Sequence, residues 1–361
     1  MRLAGAGTAA LRALTTGMAG RSFSECYTSP GRSRYVNVNA MKVVRYATAA
    51  GAQVGYLDGD LIVPVAPGEG RAGTEGVLDL AMRAVRQPDR RPPPVGEPLP
   101  LAGAVLLAPV ADPPSVRDFY AFEQHVRTAR ARRGLEMHPD WYKLPVFYFS
   151  NPAAIVGPGQ PVAAPPRSAE LDYELEVACV LGADGRDVRI EEADGLVAGF
   201  TIMNDWSARD VQRREMQLSL GPVKGKDFAT SLGPYLVTRD ELAPRGLREV
   251  PHAAMVARVN GVEYTRSDLD TLWWSFAEMV AYAAEAAPVR RGDVLGSGTC
   301  GSGCIMELAL VHGTDKYPYL TPGDEVELEV EGLGVLANRV VASDTPAFRP
   351  DPERARLRGT A

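Results

Sequence analysis

From Val105 onward the chain is a succession of short apolar runs, and that punctuation limits its fold more than any other feature. LLAPV, YELEVACVLG, GFTIMND, YLVT, MVARVNG and DEVELEVEG are each bounded by Gly, Pro or Asp, the pattern of brief strands set off by turns. Helices are fewer: one around Phe119 to Arg133, one opening at Ser207 as its cap, and one through SFAEMVAYAAEAA. The expected class is mixed and β-rich with added helices. Regular strand–helix alternation and a Gly-rich phosphate loop are both missing, which argues against a doubly wound nucleotide fold.

Upstream, residues 41 to about 66 read as two short strands turning at Asp58-Gly59, followed by a helical patch at VLDLAMRAVRQ. The prolines of RRPPPVGEPLP forbid a helix interior and favour an extended connector. The expected organisation is a small N-terminal β module with its Pro-rich linker over 41–104, a larger domain over 105–345, and a flexible tail over 346–361. The first 40 residues carry five arginines against one acid, Glu25, among many Ser, Thr, Ala and Gly. That is the composition of an organellar transit peptide. Strand alternation begins abruptly at Met41, however, and the Ala, Arg, Gly and Pro bias elsewhere suits a GC-rich bacterial gene. Residues 1–40 are therefore read as a disordered or spurious extension. The expected location is cytoplasmic, or an organellar matrix if 1–40 is a true transit peptide.

A formal charge of −6 over 361 residues argues against a nucleic-acid partner, which needs Lys and Arg in surplus on one face. No apolar run approaches the roughly 18 residues that read as a membrane-spanning helix. Cys26, Cys179, Cys300 and Cys304 are too few and scattered for a disulfide framework, which fits a reducing compartment. A small molecule is the remaining ligand class.

In LDYELEVACVLG, Glu174 and Glu176 lie two residues apart and project from one strand face. Keeping both charged calls for a cation between them, and hard oxygen ligands suit Mg, Mn or Ca better than zinc. A solvent-facing edge is the alternative. Glu327 and Glu329 in DEVELEVEG have the same spacing beside a clean Val326, Leu328, Val330 core face. Asp205 ends an apolar strand in GFTIMNDWSARDVQ, as a site acid or as a turn residue. Arg209 and Gln212 share a helix face beyond it. In SVRDFYAFEQHVRTAR, Asp118 and His125 fall on one stripe if the segment is helical; His125 is a candidate base or a structural histidine. His138, His252 and His312 read as surface residues, Cys300 and Cys304 as packed thiols, and Trp273 and Trp274 as core or subunit contacts.

The motifs RDFYAFEQH, LDYELEVACV, MNDWSARDVQ, GPVKGKDFATSLGP, GSGT and MELAL, in that order over Val105 to Val341, resemble the catalytic domain of the fumarylacetoacetate hydrolase family. The resemblance implies that family's mixed β-roll or sandwich with added helices. It implies Asp118, Glu174, Glu176 and Asp205 as ligands of a divalent ion, Mg, Ca or Mn, with Lys226 and Thr230 beside it. It also implies Tyr120, Tyr148, Arg209, Gln212 and Thr299 as substrate contacts, and His125 with Glu307 as the base and the acid that orients it. Lys226, Arg209 and Gln212 would stabilise developing negative charge. Arg132 and Arg133 are candidates for the family's substrate arginine, and Met216 stands where the animal hydrolase has a tyrosine. The implied activity is hydrolysis of a C–C bond in a 1,3-diketo acid, an acylpyruvate or fumarylacetoacetate-like compound, with water activated by His125 and Glu307. The alternative is a lyase or isomerase acting through an enolate: a 2-oxo acid decarboxylase, or a 2-oxo-enoate hydratase or isomerase. A homodimer is implied as well.

Overall fold

The structure, a computed structural model, describes residues 40–66, 73–242 and 248–349. The expectations for 1–40 and for the tail fall, apart from residue 40 and residues 346–349, outside the described residues. Three strands, Leu175–Leu181, Val197–Asp205 and Thr230–Thr238, are buried along their whole length. Val177, Cys179 and Leu181 face a core shared with Phe200, Ile202 and the helix Phe276–Ala284. Ala178 and Val180 face the opposite core, built with Ala198, Met203 and the helix Thr74–Arg86. A strand covered on both faces needs apolar residues at nearly every position, which is why these segments read as continuous runs. Each fully enclosed Leu, Ile or Phe contributes about 1.5–3 kcal/mol.

These strands are the middle of the largest sheet among the described residues, a twelve-stranded one. Its path runs through Leu99–Pro100, Leu61–Pro64, Gly51–Asp58, Lys42–Thr48, Thr230–Thr238, Val197–Asp205, Leu175–Leu181, Val294–Gly296, Val116–Phe119 and Phe147–Ser150. Leu106–Leu107 adds to Lys42–Thr48, and Ile155–Val156 to Thr230–Thr238. Lys42–Thr48 pairs with Thr230–Thr238, Val43 opposite Leu236, so the N-terminal strands extend the central sheet. A second sheet of five strands, Val262–Asp268, Ala254–Val259, Glu325–Val330, Gly334–Val341 and Val162–Ala163, closes the first core. The architecture is mixed and β-rich with helices added, as expected.

Three local expectations change. Residues 41–66 hold three strands, because a second turn at Ala49-Ala50 precedes Gly51, whose φ of 110° favours glycine. The segment from Phe119 is not helical throughout: Val116–Phe119 is a strand, and the helix starts at Glu123. Asp118 and His125 therefore do not share a helix stripe. Pairing on both sides, with Val294–Gly296 and Phe147–Ser150, outweighs local helix preference. Ser207 is not a cap either. It pairs with Asp172 in a two-stranded ladder, its hydroxyl donates to the Asp205 carbonyl, and the helix Arg209–Met216 begins after Ala208.

Candidate metal and catalytic site

Several strands end, or begin, at one place. Val197–Asp205 finishes with Asp205 opposite Thr230, the first residue of its neighbour. On the other side Leu175–Leu181 begins next to Glu174, with Leu175 opposite Asn204. Asp118 lies between Gly296 and Tyr148 on the two strands flanking it. This register gathers Asp118, Glu174, Glu176 and Asp205 into a buried cluster whose ligand oxygens all lie within 4.8 Å of one another. Glu174 and Glu176 are thus not an edge pair. Glu327 and Glu329, on a strand paired on both sides, point to the solvent face of the second sheet: both remain partly exposed while Val326, Leu328 and Val330 are buried.

Two cations face the cluster. Lys226 donates from Nζ to Glu174 Oε2 and to Asp205 Oδ2. Arg209 Nη2 lies 2.7 Å from Glu174 Oε1, and its Nε donates to Asp172 Oδ2 at 2.8 Å. Tyr148 donates to Asp205 Oδ2 at 2.6 Å, and the Gly298 amide to Glu176 Oε2 at 3.1 Å. Burial pushes the carboxyls of Asp118 and Glu176 well above the usual carboxylate range, reinforced by their acidic neighbours. Asp205 is raised by burial too, against the pull of Lys226. Burial acts the same way on Glu174, but Lys226 and Arg209 together overcome it and hold this carboxyl well below its usual range. Burial would lower Lys226, yet Asp205 and Glu174 keep its ammonium above the ordinary value.

A divalent ion fits these residues. Asp118 Oδ1, Asp205 Oδ1 and Thr230 Oγ1 are buried without a hydrogen-bond partner, an expensive state for polar atoms unless something else meets them. With Asp172, which shares Arg209, five carboxylates against Lys226 and Arg209 leave a formal charge of 2 − 5 = −3, most of which one divalent cation offsets. An all-oxygen donor set suits a hard cation. Gly296 makes the room: a Cβ there would come within 2.7 Å of Asp118 Oδ1 and 2.9 Å of Glu176 Oε2.

Asp118, Glu174 and Glu176 of the cluster line a cavity of about 590 Å³. Tyr120, Tyr148, Arg209, Gln212, Thr299 and Lys226, all singled out from the sequence, line it. Most are engaged with the protein itself. Arg209 and Tyr148 hold carboxylates, Gln212 accepts from Arg209 Nη1 at 3.2 Å, and Thr299 Oγ1 donates to Glu176 Oε1 at 3.4 Å. Tyr120 stands edge-on to His125 with ring centres 5.7 Å apart, its hydroxyl pushed up to about 12 by burial. Arg132, Arg133 and Met216 also line the cavity. Neither of those arginines has an ion-pair partner among the described residues.

Across the cavity sits His125 on the helix Glu123–Ala131. Its Nδ1 is 2.8 Å from Oε2 of Glu307, and both side chains are buried. A carboxylate only accepts, so Nδ1 carries the proton and Nε2 is left as the basic nitrogen. Cys304 donates its thiol to the same Glu307 oxygen at 3.5 Å. It remains a thiol, as do Cys179 and Cys300; burial raises the Cys304 value well above normal.

Two residues of the site escaped the sequence reading. Gly296 opens the GSGT motif, but nothing in that motif shows that its missing side chain makes room for the carboxylates. Asp172 is fully buried and bonds both Arg209 and the start of the helix Ile305–His312. It has the same parity as Glu174 and Glu176, which was the available signal.

The sequence model described as fumarylacetoacetate (FAA) hydrolase C-terminal matches residues 115–341. Oxaloacetate tautomerase Fahd2a, mitochondrial, of Rattus norvegicus is 34% identical over 203 residues, 55% of this chain and 59% of that protein. Fumarylacetoacetase of Arabidopsis thaliana is 30% identical over 266 residues, 58% of this chain and 63% of that protein. The chain thus spans about three-fifths of these relatives. Among solved structures, the fumarylacetoacetate hydrolase of psychrophilic Exiguobacterium antarcticum superposes with a TM-score of 0.66 at 26% identity, covering 84% of this chain and all of that one.

Proposed function

Because the chain belongs to the fumarylacetoacetate hydrolase family, we propose that it is a divalent-metal-dependent enzyme hydrolysing a C–C bond in a small 1,3-diketo acid. An acylpyruvate or a fumarylacetoacetate-like compound is the substrate in this reading. The observation that carries it is that His125, bonded to the buried Glu307, lines the same cavity as Asp118, Glu174 and Glu176 of the carboxylate cluster, since hydrolysis needs an activated water and a base so placed supports that role.

Asp118, Glu174, Glu176 and Asp205 would hold the ion, Mg, Mn or Ca, with Lys226 and Thr230 beside it. When bound, the ion supplies Lewis-acid polarisation of substrate carbonyl oxygens. His125 takes a proton from water at Nε2, and Glu307 fixes the tautomer and stabilises the imidazolium that results. Attack on one carbonyl then breaks the bond to the neighbouring carbon. That carbon leaves as an enolate and takes up the proton held on His125, which restores the neutral base. Lys226, Arg209 and Gln212 place positive charge and an amide beside the growing negative charge. Arg132 and Arg133, at the cavity wall without ion-pair partners, are placed to meet a substrate carboxylate.

A second reading has support of its own, because the rat relative is named an oxaloacetate tautomerase. Tautomerase, isomerase or decarboxylase chemistry would use the carboxylate cluster without needing the dyad to activate water, whereas a hydratase would need both. We further propose a homodimer. No helix among the described residues is long and apolar enough to cross a membrane. The cytoplasm is the proposed location, with an organellar matrix as the alternative, since the rat relative is named mitochondrial.

Product analysis decides between the readings. The purified chain with Mg or Mn is assayed against acylpyruvates, fumarylpyruvate and oxaloacetate, beside His125→Ala and Glu174→Ala. The hydrolase reading expects two acid fragments, lost with Glu174→Ala and reduced roughly 10²–10⁴-fold with His125→Ala. Isomerised or decarboxylated product that survives His125→Ala but not Glu174→Ala establishes the second reading and removes the first.

A further inference from the structure

Asp172 takes no part in the chemistry just described, and it does not line the cavity. It is nonetheless fully buried and holds three donors. Oδ1 accepts from the amide of Ile305 at 2.7 Å, while Oδ2 accepts from the amide of Met306 at 2.9 Å and from Arg209 Nε at 2.8 Å. Ile305 and Met306 open the helix Ile305–His312, whose preceding residue, Cys304, supplies no side-chain cap. Asp172 provides that cap from a distant part of the chain, where a carboxylate is favoured by the orphan amides and the helix dipole. The next residue of that helix is Glu307, bonded to His125. Arg209 leads the other way, to Glu174 of the carboxylate cluster.

We propose that Asp172 is a positioning residue that sets the spacing between the two halves of the site, the His125–Glu307 pair and the carboxylate cluster. It rests on the reading of that pair and cluster as one active site. A carboxylate suits this place because both oxygens only accept, and every group facing them donates. An amide could accept at one oxygen only, so in Asp172→Asn a helix amide would face another donor in either orientation, Ile305 alone or Met306 together with Arg209, in a site closed to water. The first turn of the helix would then move, taking Glu307 with it.

The test uses the full-length chain and ¹⁵N-labelled imidazoles. With four histidines in the sequence, His125 is assigned by its loss in His125→Gln. Glu307→Gln provides the signature of an imidazole without its carboxylate partner. In Asp172→Asn the His125 resonances are expected to move towards that signature while those of the other histidines stay in place. kcat is expected to fall about 10–100-fold, the range for groups that orient a site from behind, with KM changed less than about threefold. The far-UV circular dichroism spectrum and a cooperative urea transition report that the variant is folded. Should Asp172→Asn not fold, Asp172→Glu keeps the charge, displaces it by one methylene and is expected to shift His125 the same way. Wild-type His125 resonances in a folded variant would overturn the proposal. A wild-type protein that binds no Mn²⁺ and converts no oxo acid would instead remove the metal-enzyme reading, with the imidazole comparison still deciding whether Asp172 holds Glu307.

Discussion

Gly296 shows how one missing methyl group can decide a site. Its Cα sits against Asp118, Glu176 and Met203, and a Cβ would come within 2.6 Å of the Met203 methyl as well as too near both carboxylates. Gly296→Ala is expected to weaken Mn²⁺ binding at least about tenfold and to cost about 1–3 kcal/mol by overpacking, both read by metal titration and urea unfolding. Unchanged Mn²⁺ affinity would mean that the carboxylates do not need this room. At this scale the sequence is uneven. It pairs Glu174 with Glu176 but equally pairs Glu327 with Glu329, and only burial separates the two. Spacing reports which side chains share a face; it says nothing of what lies opposite. Asp172 was overlooked because two of its three partners are backbone amides more than 130 residues away, which carry no residue-type signal, and the third, Arg209, meets it only through the fold.

Elements were legible where local chemistry and tertiary packing agree. The helix Phe276–Ala284 is announced by Ser275 and Glu278, which form a reciprocal capping box: Ser275 Oγ accepts from the Glu278 amide at 3.3 Å, and Glu278 Oε2 accepts from the Ser275 amide at 2.8 Å. Ser275→Ala should destabilise the protein by about 1 kcal/mol, seen as a lower urea midpoint with an unchanged slope. A midpoint equal to wild type would show that packing of Ala277, Met279 and Val280 alone holds this helix. Reading failed at Val116–Phe119 for the complementary reason. Nothing in those four residues signals a strand; the signal lies in Val294–Gly296 and Phe147–Ser150, which reach them from far along the chain.

Taken whole, the molecule gathers four carboxyls in a buried cluster, where protons or a cation relieve their mutual repulsion. Folding raises the carboxyls of Asp118, Glu176 and Asp205 and lowers that of Glu174. A raised acid binds more protons folded than unfolded, so its contribution to stability falls as pH rises from the ordinary carboxylate range towards the folded value. The lowered Glu174 contributes the opposite sign, present above the unfolded value and lost on acidification, but three groups stand against one. Metal binding competes with those protons. The rise in Tm produced by Mn²⁺ is therefore expected to grow as pH rises above the ordinary carboxylate range, and Glu176→Gln should flatten that growth; a pH-independent rise would count against the buried carboxylates as the ligands. The sequence by itself determined the β-rich class, the family motifs and the positions that carry acids, because strand punctuation and local residue order are written along the chain. Only the tertiary structure decided which acids meet, that Asp118 belongs to a strand, and that Asp172 joins the two arms of the site. Those outcomes depend on strand register and helix placement between segments up to about 180 residues apart, and register is settled by packing rather than by any one segment.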